Sequence, residues 1–288
     1  MGADARHGFN VSRLLRCLRY DAIAGCRFTL IPLGVIAVLC VVLFAGAYGY
    51  SRFFHIDVSN LSSSDALGLV LAGATRFEWR PGLPARLPLG WLALMGFVLY
   101  ASLVYPAFDM RASGGWSMLA AGSRRIWLLS KMLWVGLVTV AAACVMAIAC
   151  LAISCAVGLP LGVEVHDAAL QLAMVSLDSI VVQAANIVPF VCGALAVLLT
   201  LAEAQLVIAL FLHPIVAFGA CMAYLVVGYF VQSPLLLGNG AMLARWGGTV
   251  GTGVAGHEVV AVSAALCAAA CAIGMWAIGK LDIYEKEA

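Results

Sequence analysis

The run TLIPLGVIAVLCVVLFAGAYGY, Thr29–Tyr50, decides the fold class. It contains no ionisable acid or base, and as a helix it matches the ~30 Å hydrocarbon core of a bilayer. Backbone groups in lipid must be satisfied within the segment, so such a run is read as a helix. The rest of the chain has the same character. Of 288 residues, 64% are hydrophobic and only 10% charged, and the mean hydropathy is +1.05. That leaves too little polar surface to coat a water-soluble globule. The net charge of +2 gives no basic surface for a nucleic acid.

Working outward from the first run, comparable stretches recur at Pro88–Pro106, Met132–Val157, Ser179–Leu201, Leu206–Val231 and Glu258–Gly279. The expectation is an all-α integral membrane protein with six transmembrane helices. Residues 1–28 are an N-terminal region, 29–279 the six-span domain and 280–288 a short tail. In the fourth span Gln183, Asn186 and Pro189 interrupt the apolar pattern, and 161–178 reads equally as interfacial or as part of that span. Asn186 and His213, the latter followed by Pro214, are candidate intramembrane polar residues. Glu203 is placed at the turn between spans four and five, and Asp109 at the end of span two. A cleaved signal peptide over Thr29–Ala47 would need an unusually long leading region, so an uncleaved first span is the better reading.

Lysine and arginine set the orientation. With the N-terminus inside, eleven of the sixteen basic residues fall on inner segments and five on outer ones. Both termini are therefore expected in the cytoplasm of a multi-pass protein of the cell membrane, here a bacterial one. Before the first span, Val11, Leu14, Leu15, Leu18 and Ala22 follow one helix face, with Arg13, Arg16 and Arg19 opposite. An amphipathic helix is expected there, lying in the inner interface against membrane lipids.

Motifs for chemistry in the chain itself fail on inspection. Gly274–Leu281 resembles a phosphate-binding loop but has leucine where the magnesium-binding hydroxyl belongs, and it closes an apolar helix. His257-Glu258 opens like a zinc-protease helix, but Ala261 replaces the second histidine. The ten cysteines form no CxxC pair and fall mostly in apolar runs, as small hydrophobes do. Gly247, Gly248, Gly251, Gly253 and Gly256 read as a flexible outer loop. In the outer segment Ser51–Leu87, a short helix capped by Ser63 or Ser64 is expected. No carboxylate falls at mid-membrane unless Asp178 does, which argues against a carrier that powers itself.

One polar stretch remains, RASGGWSMLAAGSRRIWLLSK, Arg111–Lys131. With Asp109, Arg111, Gly114, Gly115 and Trp116 followed by Leu119–Lys131, it resembles the inner loop of the membrane subunits of type-2 ATP-binding-cassette (ABC) exporters. The six spans, the amphipathic N-terminal helix, Pro234–Asn239 with Met242, and the tail Lys280–Glu287 are similar to the same family. The resemblance implies a non-catalytic permease subunit, no cofactor in this chain, and ATP and magnesium in a separate ABC ATPase. It further implies a second permease copy, as homodimer or heterodimer, and a short cytoplasmic coupling helix that docks into the ATPase.

The residues suit that role. Ser113 is a helix cap, Gly114 and Gly115 allow a tight turn, and Trp116 with Leu119 forms an apolar knob at i,i+3 spacing. Gly122 follows the knob, and Arg124 and Arg125 offer charge to an acidic partner or to lipid phosphate. The alternatives are an ATPase-independent carrier, an accessory membrane scaffold, or a membrane-embedded enzyme. The sequence does not name a transported substrate.

Overall fold

The computed structural model describes residues 11–53, 60–77, 87–112, 114–173 and 185–280. Val11–Phe53 is one helix of 43 residues, α1, about 65 Å long. The expected division at residue 28 into an interfacial helix and a separate span is absent. The reason lies in the buried stripe Asp21, Gly25, Thr29, Pro32, Ile36, Cys40 and Phe44, which recurs every three or four residues across that junction. One continuous face therefore packs against α3 (Leu89–Ala112) and α5 (Arg124–Val157). Pro32 lacks the amide that would serve the Phe28 carbonyl, and the helix runs through it.

Between α1 and α3 lies α2, Ser63–Val70. Its cap is Ser62, one residue ahead of the expected Ser63 or Ser64. Asp65 accepts the Ser62 amide at 2.8 Å, the reciprocal half of a capping box. The same buried carboxylate accepts the His166 amide at 2.8 Å and meets His166 Nδ1 at 2.7 Å. It thereby ties α2 to the short strand β1 (Glu164–Val165) and to α6 (Asp167–Leu172). The eight-residue helix α4, Gly114–Ala121, stands between α3 and α5.

Strand β1 pairs antiparallel with β2, Ala185–Asn186. Asn186 is therefore an exposed ribbon residue that precedes the next helix. Its side chain accepts the Val188 amide at 2.8 Å and starts α7, Val188–Phe211. Pro189, read as an interruption, occupies the first turn of that helix, where its missing amide is no loss. Residues 174–184, including the expected start of span four, lie outside the described residues.

The turn expected at 202–205 is also displaced. Helix α7 runs on to Phe211, so Glu203 is helical and buried at 7% exposure. His213 is the exposed cap of α8, Pro214–Phe230, its Nδ1 accepting the Ile215 amide at 3.3 Å. It sits at a helix boundary, not within a span. The polar marker misled because Glu203 faces the bundle interior, where a helix carries it without breaking.

After α8 the chain folds back over the bundle end through two 3-10 turns, Leu237–Ala241 and Leu243–Arg245. Arg245 organises this cap. Its guanidinium donates to the carbonyls of Ala74, Thr75, Gly228 and Tyr229 and to Asn239 Oδ1, at 2.6–2.9 Å. Burial pushes its pKa down to about 10, so it stays charged at neutral pH and closes the C-terminal end of α8. The glycine-rich loop is not loose, since Trp246 is buried and bridges to Val254. A Cβ at Gly253 would lie 2.6 Å from the Gly247 nitrogen, so two backbones meet where no side chain fits. Helix α9, Gly256–Ala277, completes the bundle against α7.

The protein is thus predominantly helical, around a single large core that includes Ile36, Phe44, Trp91, Met95, Leu128 and Val197. Among the described residues five helices, α1, α3, α5, α7 and α9, are long and apolar enough to cross a membrane, while α8 has 17 residues.

Candidate functional site at the basic end of the bundle

The start of α1, the end of α3, all of α4 and the start of α5 converge at one end of the bundle. Helix α4 owes its length to local chemistry. Gly122 takes a left-handed backbone, φ +67°, and its amide bonds the Leu119 carbonyl at 3.0 Å, which closes the helix. Ser123 then opens α5 in extended backbone, its carbonyl taking the Trp127 amide at 3.1 Å. The expected cap Ser113 lies outside the described residues, and Gly114 and Gly115 form the first turn of α4.

Trp116 is 80% exposed and Leu119 66% exposed on α4. The inward side of α4 carries Ser117 and the buried Ala121. Ser117 Oγ accepts from Trp127 Nε1 at 2.9 Å and donates to Asp109 Oδ2 at 3.1 Å. Arg125 is exposed and Arg124 half-buried. Arg111 points elsewhere, to the turn between α7 and α8, where its Nη2 meets His213 Nε2.

Beneath α4 lies a buried ionic network, and its central residue Asp21 drew no attention in the sequence. Lys131, 1% exposed, sits 2.5 Å from Asp21 and 2.8 Å from Asp109. Tyr105 donates to Asp21 at 2.7 Å, Ser130 donates to the other Asp21 oxygen, and Lys131 reaches Tyr105 Oη at 3.3 Å. The ammonium also lies over the Tyr105 ring, 4.6 Å from its centroid. Three spanning helices and α4 thus meet on one cation between two carboxylates. The arrangement has the multiple hydrogen bonds that a buried charge requires.

The sequence places Lys131 and Asp109 in the basic loop and at the end of the second span, without pairing them. One signal pointed here: Asp21 is the sole acid in α1 and shares a helix stripe with the small residues Gly25 and Thr29.

A cavity of about 430 Å³ opens beside the network. Helix α1 lines it with Arg13, Arg16, Cys17 and Tyr20, spaced i, i+3, i+4 and i+7 on one face. Helix α4 contributes Trp116, Ser117 and Ala120, and α5 Trp127 and Ser130, with Asp21 and Lys131 at the buried end. Of the arginines here, Arg13 is half-buried at the cavity, Arg16 lines it from an exposed position and Arg19 is exposed outside its lining; Val11 is 57% and Leu15 59% exposed, and Leu14 and Leu18 are half-buried. Among the described residues no group of three or more His, Cys, Asp or Glu side chains is placed to hold a metal.

Fold and site together define a helical multi-pass membrane protein with a polar, basic end. Comparison with protein-family models, with curated proteins and with solved structures gives no match for the chain.

Proposed function

We propose that this chain is the permease subunit of a type-2 ABC exporter, crossing the cell membrane six times with both termini in the cytoplasm. Two permease copies form the path, and a separate ATPase binding ATP and magnesium drives it. The observation that carries the reading is α4. It is a short helix between two spanning helices that leaves its apolar pair, Trp116 and Leu119, largely exposed. Its other side is bonded through Ser117 to Asp109, which holds Lys131 and through it Asp21. A push on α4 is thereby delivered to α1, α3 and α5 together. Exposed large apolar residues beside a rigid polar joint are what a docking helix needs.

The test is co-purification with an ABC ATPase encoded beside this gene. Replacing Trp116 and Leu119 together by alanine is expected to release the ATPase while the permease keeps its elution profile and melting temperature. Full retention of the ATPase would overturn the docking role.

Glu203 favours a second reading, an ATPase-independent carrier. It is a buried carboxylate inside a spanning helix, and its Oε2 has no hydrogen-bond partner among the described residues. Such a group is a candidate proton or cation site.

A further inference from the structure

We propose that Cys40 and Cys150 form a redox-sensitive clamp between α1 and α5, closed as a disulfide by a bilayer-soluble oxidant and opened by a dithiol. The inference does not depend on what drives the protein. Its ground is the register of the two helices. Adding 110 to each residue number of the α1 stripe, from Asp21 to Phe44, lands every time on a buried residue of α5. From Ala142 onward the matched residues, with Met146, Cys150 and Ser154, are all that α5 buries. The helices thus run parallel and in step. Asp21 meets Lys131 near the start of both, and a Cβ on Gly25 would lie against the Trp134 ring. Cys40 meets Cys150 nineteen residues further on in both helices, about 28 Å along the pair.

A cysteine in a core is ordinarily a small hydrophobe, and two observations set this pair apart. Of the three buried cysteines, Cys221 gives its thiol to the Leu201 carbonyl at 3.9 Å, whereas the other two interact with each other across two helices. The stripe leading to them is also narrow. Gly25, Thr29 and Ala142 are small, which lets two helix backbones approach closely, as the short Cα–Cα span of a disulfide requires. At 0% and 1% exposure the thiols are screened from water, so the oxidant has to be apolar. Closure breaks two S–H bonds and forms one S–S bond. The two electrons and two protons pass to a hydrogen acceptor of the quinone or diazene class, which leaves in its dihydro form. Closed, the clamp adds a covalent tie far from the Asp21–Lys131 joint, and α1 and α5 move as one body.

The experiment uses the full chain in phosphatidylcholine nanodiscs. The protein is treated with the membrane-permeant diazene diamide, free thiols are blocked with N-ethylmaleimide, and a digest is read by mass spectrometry. A peptide pair linking Cys40 to Cys150 is expected, with a melting temperature about 5 °C or more higher, both reversed by dithiothreitol. Oxidised glutathione, which stays in water, is expected to leave the pair open. Cys40→Ala and Cys150→Ala are each expected to lose the link and the thermal shift. Register is tested apart from the native thiols, in the Cys40→Ala, Cys150→Ala background. There Ile36→Cys with Met146→Cys restores a matched pair one turn away and is expected to close. Ile36→Cys with Cys40→Ala, set against the native Cys150, is staggered by one turn and is expected to stay open.

Failure of the native pair to close would overturn the clamp, whether or not the engineered pair closes. So would a thermal shift that persists in Cys40→Ala, which would mean that other thiols had reacted. Closure of the staggered pair as readily as the matched one would overturn the register on which the clamp rests. Closure by oxidised glutathione as fast as by diamide would overturn the requirement for a bilayer-soluble oxidant.

Discussion

Lys131 shows how much one side chain decides in an apolar protein. It is a single positive charge between Asp21 and Asp109, so the triad as a whole carries one net negative charge. Removing the lysine leaves two carboxylates facing each other at 2% and 1% exposure. Breaking a buried ion pair by deleting one partner costs on the order of 3–5 kcal/mol, and Lys131→Met belongs at the upper end. Asp21→Asn acts in the other direction on charge: it leaves Lys131 and Asp109 as a neutral pair, and the amide oxygen still accepts from Tyr105. It is therefore expected to be the milder change. Thermal unfolding of the detergent-solubilised variants should rank the melting temperatures wild type above Asp21→Asn above Lys131→Met. Combining the two should recover part of the loss, since it removes a carboxylate that the lysine had neutralised. The reverse ranking would mean that hydrogen bonding to Asp21, not charge balance, holds the joint.

Among the elements, α4 is a short helix closed by a left-handed glycine, Gly122. An L-residue in the left-handed region costs roughly 1–2 kcal/mol, and a Cβ at Gly122 also meets Arg13. Gly122→Ala should therefore disturb the end of α4 without unfolding the bundle. If α4 docks an ATPase as proposed, the expected outcome is a five- to thirtyfold weaker hold on it, the factor that corresponds to about 1–2 kcal/mol, with an unchanged melting temperature. Gly122→Asn, which tolerates the left-handed conformation, should restore most of the affinity. A surface-plasmon titration of the ATPase against the three proteins gives the ranking.

Helix α4 was legible in the sequence because punctuation marks it: glycines, a tryptophan and paired arginines between two apolar runs. The long helices were legible for the same reason. What could not be read was where polarity is buried. Asp21, which hydropathy along the chain does not single out, belongs to the inward stripe of α1. Glu203 looked like a turn and lies inside α7, while Asn186 and His213, read within apolar runs, stand at element boundaries. In each case hydropathy along the chain reports composition, whereas burial depends on which neighbour covers the residue. The cap formed by Arg245 was illegible for that reason too, because its partners lie up to 171 residues away.

At the scale of the whole molecule the open choice is the source of energy, and Glu203 separates the two readings. It sits in α7 where that helix packs on α5 and α9. The Cβ position of Gly136 is 4.0 Å from its Oε1, and Trp134 Nε1, Gln205 and Ser263 Oγ are further buried polar groups of the bundle without hydrogen-bond partners among the described residues. If the chain is an ABC permease, this carboxylate is a structural polar residue and its charge state does not enter the cycle. Proteoliposomes containing permease and ATPase should then export amphiphiles only with ATP, and Glu203→Gln should change the rate by less than about threefold, a barrier change under about 0.7 kcal/mol. If the chain is instead a proton-linked carrier, vesicles holding it alone should accumulate substrate under a pH gradient. Glu203→Gln should then abolish that uptake, since the neutral amide binds no exchangeable proton. The permease reading predicts no gradient-driven uptake by the isolated chain, and its appearance, lost in Glu203→Gln, would transfer the driving role from α4 to α7.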